Sequence, residues 1–296
     1  VALLNPPEIR PSGIVLITRY LASQRGQQDT VERLVATLAP ASLPGDPQND
    51  VTVNLRAGTE LSLFVRTGDK VRLADGVLKA VEDDAGRLIS LLRRRVLDDP
   101  VNNAPWPSQV GARDLTSALS WFLTFAAGEA PVRQEGGPRA AETLQLADFG
   151  PRQQEGESSN WPIGNSTRWN AFRRWACTLG FAWANPQGHL VPDPTAAVRD
   201  ALPTVFGGAN ELTAQEFVKH VAEHVPVLDG GRYREFVAEN WQRPPNQSRG
   251  LSAPLSDALE RLTSEQSIFL DDRADAARIA KADGSTFSHV RIGTSR

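Results

Sequence analysis

The sequence predicts a mainly α-helical α+β fold with small β-hairpins, on three observations. Amphipathic helical runs alternate with Pro- and Gly-rich breaks. In two places a helical run passes directly into two short segments around a Gly-containing turn. That order of elements then recurs along the chain. The 296 residues leave room for two or three domains of ordinary size. Hydrophobic residues at 40% and charged residues at 23% are globular values.

The first unit is expected over residues 1–100. Ser12 is placed to cap a helix over 13–21, and Asp29 or Thr30 to cap a second over 31–38. Val31, Leu34, Val35 and Leu38 put the apolar positions of that second helix on one face. Pro40, Pro44, Gly45 and Pro47 end it, and a third helix follows over 49–61. Residues 63–66 and 71–73 flank a turn at 67–70, with Val65, Val71 and Leu73 in period-2 alternation, which predicts a hairpin. Three helices followed by a hairpin is the winged helix-turn-helix arrangement. A further helix, 88–97, ends in Arg93, Arg94 and Arg95, cations favourable to a helix C-terminus and equally available to an anion.

The second unit, over 108–205 with a Gly/Pro-rich insert at 130–162, repeats the order. Asp114 is expected to cap 115–123, a short helix occupies 140–146, and Ser166 or Thr167 caps 168–176. Residues 181–183 and 189–191 then flank a turn at 185–188, and Asp193 leads into the next helix. The third unit, 210–296, holds helices at 213–225, 232–241 and 252–263. Strands are expected at 268–270, 277–280 and 287–291, and an exposed loop at 242–250.

Chemistry-bearing residues are sparse. Cys177 stands alone, which excludes an intramolecular disulfide, and its apolar neighbours Trp175 and Ala176 read as core. His220, Glu223 and His224 satisfy H-x-x-E-H, which on a helix could chelate zinc. The same residues also form the solvated stripe of a helix whose apolar face is Phe217, Val218, Val221, Ala222 and Val225. Pro226 cuts that helix, and neither Glu260 nor Glu265 is singled out as a further ligand. His189 and His289 lie in expected strands, and Asp271, Asp272 and Asp275 read as a solvated turn. There is no nucleophile elbow and no Walker A loop. No catalytic residue, metal site or cofactor is therefore predicted.

The net charge of −3 argues against a protein that coats nucleic acid over its whole surface, while leaving room for a local basic face. The candidate face is the helix 168–175. Trp169, Phe172 and Ala176 take its apolar side, while Arg168, Asn170, Arg173 and Arg174 are suited to phosphate and base-edge contacts. An ordinary solvated helix face would look the same. In the first unit Arg56 lies on the third helix, with Arg66, Lys70 and Arg72 on the hairpin. The first residues lack a basic segment followed by a long apolar run, and no window reaches 18 apolar residues. Neither a signal peptide nor a membrane partner is expected, and the location predicted is cytoplasmic.

Four stretches carry a likeness to a known family: Leu4-Asn5-Pro6-Pro7, residues 56–64 (RAGTELSLF), residues 111–123 (GARDLTSALSWFL) and Ser288-His289. Through them the chain resembles the DpdG family, encoded in bacterial gene clusters that place 7-deazaguanine derivatives in DNA and defend against phage. The resemblance implies a setting of DNA modification and antiviral defence, and supplies no site residue. The function expected is that of a non-enzymatic winged-helix protein. Its partners would be DNA and other proteins of a defence complex. The alternatives are a transcription regulator, a protein-docking module anchored through Trp106, Trp161 or Trp183, and a zinc hydrolase at the H-x-x-E-H motif.

Overall fold

The computed structural model describes all residues except 41, 84, 132–136, 157, 243–249 and 294–296, and only the backbone of 83, 85 and 137–140. The expected loop 242–250 and the Gly/Pro-rich insert therefore lie partly outside the described residues. The fold is mixed α/β, about 49% helical with small antiparallel sheets. The chain divides into two compact bodies. The first holds Val1–Leu115, Gly156–Ser158 and Thr167–Leu179. The second holds Thr116–Glu155, Ser159–Ser166 and Gly180–Arg296.

The first body opens with α1 (Pro11–Ser23), β1 (Gln28–Thr30), α2 (Val31–Leu38), α3 (Pro47–Glu60), β2 (Phe64–Thr67) and β3 (Lys70–Leu73). Helix α1 starts one residue before the expected cap: Pro11 presets the helical φ, so Arg10 takes the cap position and Ser12 falls inside the first turn. Thr30 caps α2 as expected, its hydroxyl accepting from Arg33 N at 3.2 Å. Asp46 caps α3, three residues before the expected start. Ile14, Ile17, Leu21, Leu34, Val51, Leu55, Leu63, Phe64, Val71 and Leu73 form the core. Each large aliphatic side chain there contributes about 1.5–3 kcal/mol by leaving water. The hairpin β2–β3 is joined by β1, giving the order β1–β3–β2. Gly58 of α3 lies against the Phe64 ring, where a Cβ would collide.

Helices α4 (Val77–Asp83) and α5 (Ala85–Val96) follow. Arg93, at the end of α5, is buried and donates from Nε to the Leu179 carbonyl at 2.5 Å, so one of the three terminal arginines is committed to packing.

The chain continues through α6 (Arg113–Phe122), α7 (Gly137–Phe149), the two-residue strands β4 (Gln154–Glu155) and β5 (Ser158–Ser159), and α8 (Ser166–Thr178). Asp114 is not a cap. It is the second residue of α6, fully buried, and its carboxylate receives Leu3 N, Leu4 N and Leu115 N. Helix α8 buries Arg168, Trp169, Ala171, Phe172, Trp175 and Ala176, while Cys177 beside them is half-buried. Burial pushes the Cys177 thiol pKa up, with Arg173 pulling it back.

The second body holds the hairpin β6 (Ala182–Ala184) and β7 (Leu190–Pro192) where the sequence places it. After it come α9 (Thr195–Phe206), β8 (Glu211–Thr213), α10 (Ala214–His224), α11 (Arg232–Ala238), α12 (Ala253–Ser264), β9 (Ile268–Asp271), β10 (Ile279–Ala280), β11 (Thr286–Phe287) and β12 (His289–Ile292). Its second sheet has the order β8–β12–β9.

Residues 11–73 and 195–292 are built alike. Each runs helix, strand, helix, helix, strand, strand, with the first strand pairing to the last. The agreement extends to single hydrogen bonds. Thr30 and Thr213 cap the second helix, each accepting at 3.2 Å from the amide three residues on. Val31 N reaches Asp69 O as Ala214 N reaches Ser288 O. Ser62 and Gln266, both past the third helix, share φ near +60° (55° and 60°). Leu63 N then bonds to Gly58 O, as Ser267 N does to Leu262 O, both at 2.9 Å. The C-terminal copy differs by two additions: α11, and the β10–β11 ribbon between β9 and β12. The sequence pointed instead to likeness between the first and second units.

Candidate nucleic-acid interface

In the N-terminal copy, Gln28, Arg72 and Val65 stand opposite one another across β1, β3 and β2, and Thr30, Lys70 and Thr67 form the next such row. Side chains two apart on a strand share a face, so these six residues make one face of the sheet. It is solvent-facing and carries two cations and no carboxylate; Val71 and Leu73 point the other way into the core. Arg66, also exposed, donates from Nε to Gly68 O at 3.2 Å. Lys70 makes no ion pair among the described residues. Arg72 donates to the Leu73 carbonyl and meets Asp75 at 3.2 Å, but the Asp75 side chain is 98% exposed.

The exposed side of α3 is different. Arg56 lies with Gln48, Asn49 and Thr52, and its Nε contacts Glu60 at 3.3 Å. Asp46 and Asp50 stand at the start of the same helix.

Helix α8 divides the residues expected on it. Asn170 is exposed and Arg173 half-buried. Arg168 is only 9% exposed and lies 3.8 Å from the buried Asp114 carboxylate, so it neutralises a core charge rather than facing solvent. Arg174 donates to the Pro7 carbonyl at 2.8 Å. Burial, with Arg10 nearby, pulls the Arg174 pKa down, against Glu8. Both arginines thus hold the buried segment that includes Leu3, Leu4 and Ile9. No sequence signal marked this role, because Arg168 and Asp114 are 54 positions apart. Gln28 and Thr30 carry no sequence signal for another reason: Gln-Asp-Thr shows no apolar alternation, so no local pattern marks β1 as a strand.

The corresponding rows of the C-terminal copy are Glu211, Arg291, Phe269 and Thr213, His289, Asp271. Here the charges close on one another. Arg291 Nε meets Asp271 at 2.7 Å with its guanidinium 5.5 Å from the Phe269 ring, and Arg273 meets Glu211 at 2.5 Å. Those contacts hold the Glu211 and Asp271 carboxyls below their usual range. Three charges of α12 and its C-terminal end are likewise paired: Arg261 with Asp193, Glu260 with Lys281, and Glu265 with Arg199 at 2.6 Å. The first body carries 17 basic and 15 acidic residues, the second 15 and 20.

The H-x-x-E-H residues lie on α10, where His220 Nδ1 is 2.9 Å from Val205 O. Among the described residues no group of three or more His, Cys, Asp or Glu could hold a metal ion. The same helix lines a cavity of about 540 Å³ with α11 and Ile279, whose rim mixes Lys219 and Arg232 with Glu223 and Glu235. Among the described residues no helix is long and apolar enough to cross a membrane.

These features define a mixed α/β protein with an internally duplicated helix–sheet module, cationic on the outer sheet face of one copy and ion-paired on the other. A family model described as DpdG-like matches residues 1–276, and the chain belongs to that family. Membership fits a protein associated with DNA modification. No curated protein and no solved structure matches the chain.

Proposed function

We propose that this protein acts by binding rather than catalysis, as a DNA-associated component of a bacterial DNA-modification and anti-phage system, and that its two copies are winged helix-turn-helix modules. The observation that carries the reading is the duplicated order of helices and strands. In each copy a hairpin-like pair of strands follows the third helix, and a strand before the second helix joins the sheet. That is the arrangement in which winged helices present a helix and a wing to DNA. Fold alone does not assign DNA binding. The cations of the N-terminal copy, in a body with more bases than acids, are what favour it.

The test is binding of the full chain to a random-sequence duplex across a salt series. Phosphate contact gives a linear fall of log K with log salt, of slope about −0.9 per contact. No binding at low salt refutes the DNA reading. A second reading, docking to another protein of the same system, is favoured by the acidic excess of the second body and by Trp183, 44% exposed on β6. It predicts that Trp183→Ala weakens association with such a partner and leaves the salt series unchanged.

A further inference from the structure

We infer that the outer face of the β1–β3–β2 sheet, and not helix α3, is the nucleic-acid contact, and that it grips the phosphate backbone without reading base sequence. This rests on the DNA-binding reading above and narrows it to one surface and one kind of contact.

The first argument is the donor set. Gln28, Thr30, Thr67, Lys70 and Arg72 supply amide, hydroxyl, ammonium and guanidinium donors on one face with no carboxylate among them. These are the side chains that contact phosphate oxygens. Arg66, on the edge strand, stands opposite Val71, so alternation puts it on the other side of the sheet and outside this set. The one carboxylate ion-paired with a cation of this face among the described residues, Asp75, is too exposed to hold Arg72 strongly, since such pairs contribute at most about 1 kcal/mol. A phosphate arriving at the face displaces it.

The second argument is what α3 offers. Its single cation, Arg56, is already beside Glu60, and Asp46 and Asp50 stand at its start. Pushed into a major groove, this helix would bring three carboxylates towards the phosphates for one arginine. Groove-reading helices carry the opposite balance.

The third argument is the control inside the molecule. The C-terminal copy repeats the register, but Glu211 replaces Gln28, Asp271 replaces Thr67, and the shared arginine, Arg291, is held by Asp271 over Phe269. The fold is therefore compatible with a self-neutralised face. The open cationic face of the N-terminal copy is not required for folding.

The experiment uses the full chain, two short duplexes of unrelated sequence and a salt series. A variant combining Lys70→Gln and Arg72→Gln should flatten the slope by about 0.9 for each cation that meets a phosphate, and weaken binding of both duplexes alike. Arg56→Gln and Arg291→Gln should leave slope and affinity unchanged. All four substitutions are at exposed positions, and unaltered thermal melting confirms that each variant folds. The inference is overturned if the double variant binds as the wild type does, or if Arg56→Gln abolishes binding. It is also overturned if the two duplexes differ by about a thousandfold or more, as targets of sequence-specific readers do. In each of those cases the DNA-binding reading stands. Failure of the wild type to bind either duplex overturns both.

Discussion

Asp114 gives the sharpest test of the fold. Its carboxylate is fully buried, with Oδ1 accepting from Leu3 N at 3.1 Å and Leu115 N at 2.7 Å, and Oδ2 from Leu4 N at 2.7 Å. Arg168 stands 3.8 Å away. Burial pushes the pKa from an ordinary 3.8 up to about 6, with the amides and Arg168 pulling the other way. The folded state thus holds this proton more tightly than the unfolded chain does. The associated stability is fully present below about pH 4 and is lost as the pH rises through about 6. A shift of about 2 pH units, at 1.36 kcal/mol each, corresponds to about 3 kcal/mol. Asp114→Asn is neutral throughout and lacks this component. Urea unfolding of both proteins between about pH 4 and pH 7 should show the stability difference, wild type minus variant, falling by about 2–3 kcal/mol as the pH rises. Leu4, facing an amide nitrogen in the variant, should exchange its amide proton faster. Parallel stability profiles would refute the assignment of a proton-holding carboxyl at this position.

Two further substitutions probe the duplicated module. Gly58→Ala drives a Cβ into the buried Phe64 ring and should cost about 1–3 kcal/mol by thermal or urea unfolding; an unchanged midpoint would mean that the ring moves freely. Thr30→Ala and Thr213→Ala each remove a helix cap and should cost about 1 kcal/mol, with Thr213 the more costly because its hydroxyl also donates to the Glu216 carboxylate at 2.7 Å. Equal losses would argue that this hydroxyl–carboxylate bond adds nothing.

What was legible in the sequence is what local chemistry dictates. Thr30, the Thr67–Lys70 turn and the hairpin at 182–192 appeared where turn and cap residues place them. Strands β1 and β8 were not legible, because Gln-Asp-Thr and Glu-Leu-Thr are too short to alternate. They become strands only by pairing with chain 42 and 78 positions later. Asp114 looked like a cap for the same reason that real caps do, being an aspartate before an apolar helix. Its actual role depends on Leu3 and Leu4, which no local pattern could bring to it. Arg168 and Arg174 read as solvated because helical spacing shows which side of α8 they occupy, but not what covers that side.

The two copies separate what folding requires from what it leaves open. The capping threonine, the left-handed residue after the third helix, and the valine of the central strand (Val71 and Val290) recur because helix start, tight turn and core impose them. Apart from the capping threonines, the outer sheet face is under no such constraint, since its side chains are exposed or half-buried. There the copies part: Gln28, Thr67 and Lys70 in one correspond to Glu211, Asp271 and His289 in the other. Exposed ion pairs of the kind that close the second face contribute little to stability. Folding energetics therefore do not account for the charge difference, whereas an anionic ligand on one copy would act directly on it. If the first face served folding alone, Lys70→Glu with Arg72→Glu would change DNA binding no more than it changes the melting temperature. Phosphate contact predicts the reverse: near-native melting, with binding lost at every salt concentration where the wild type binds.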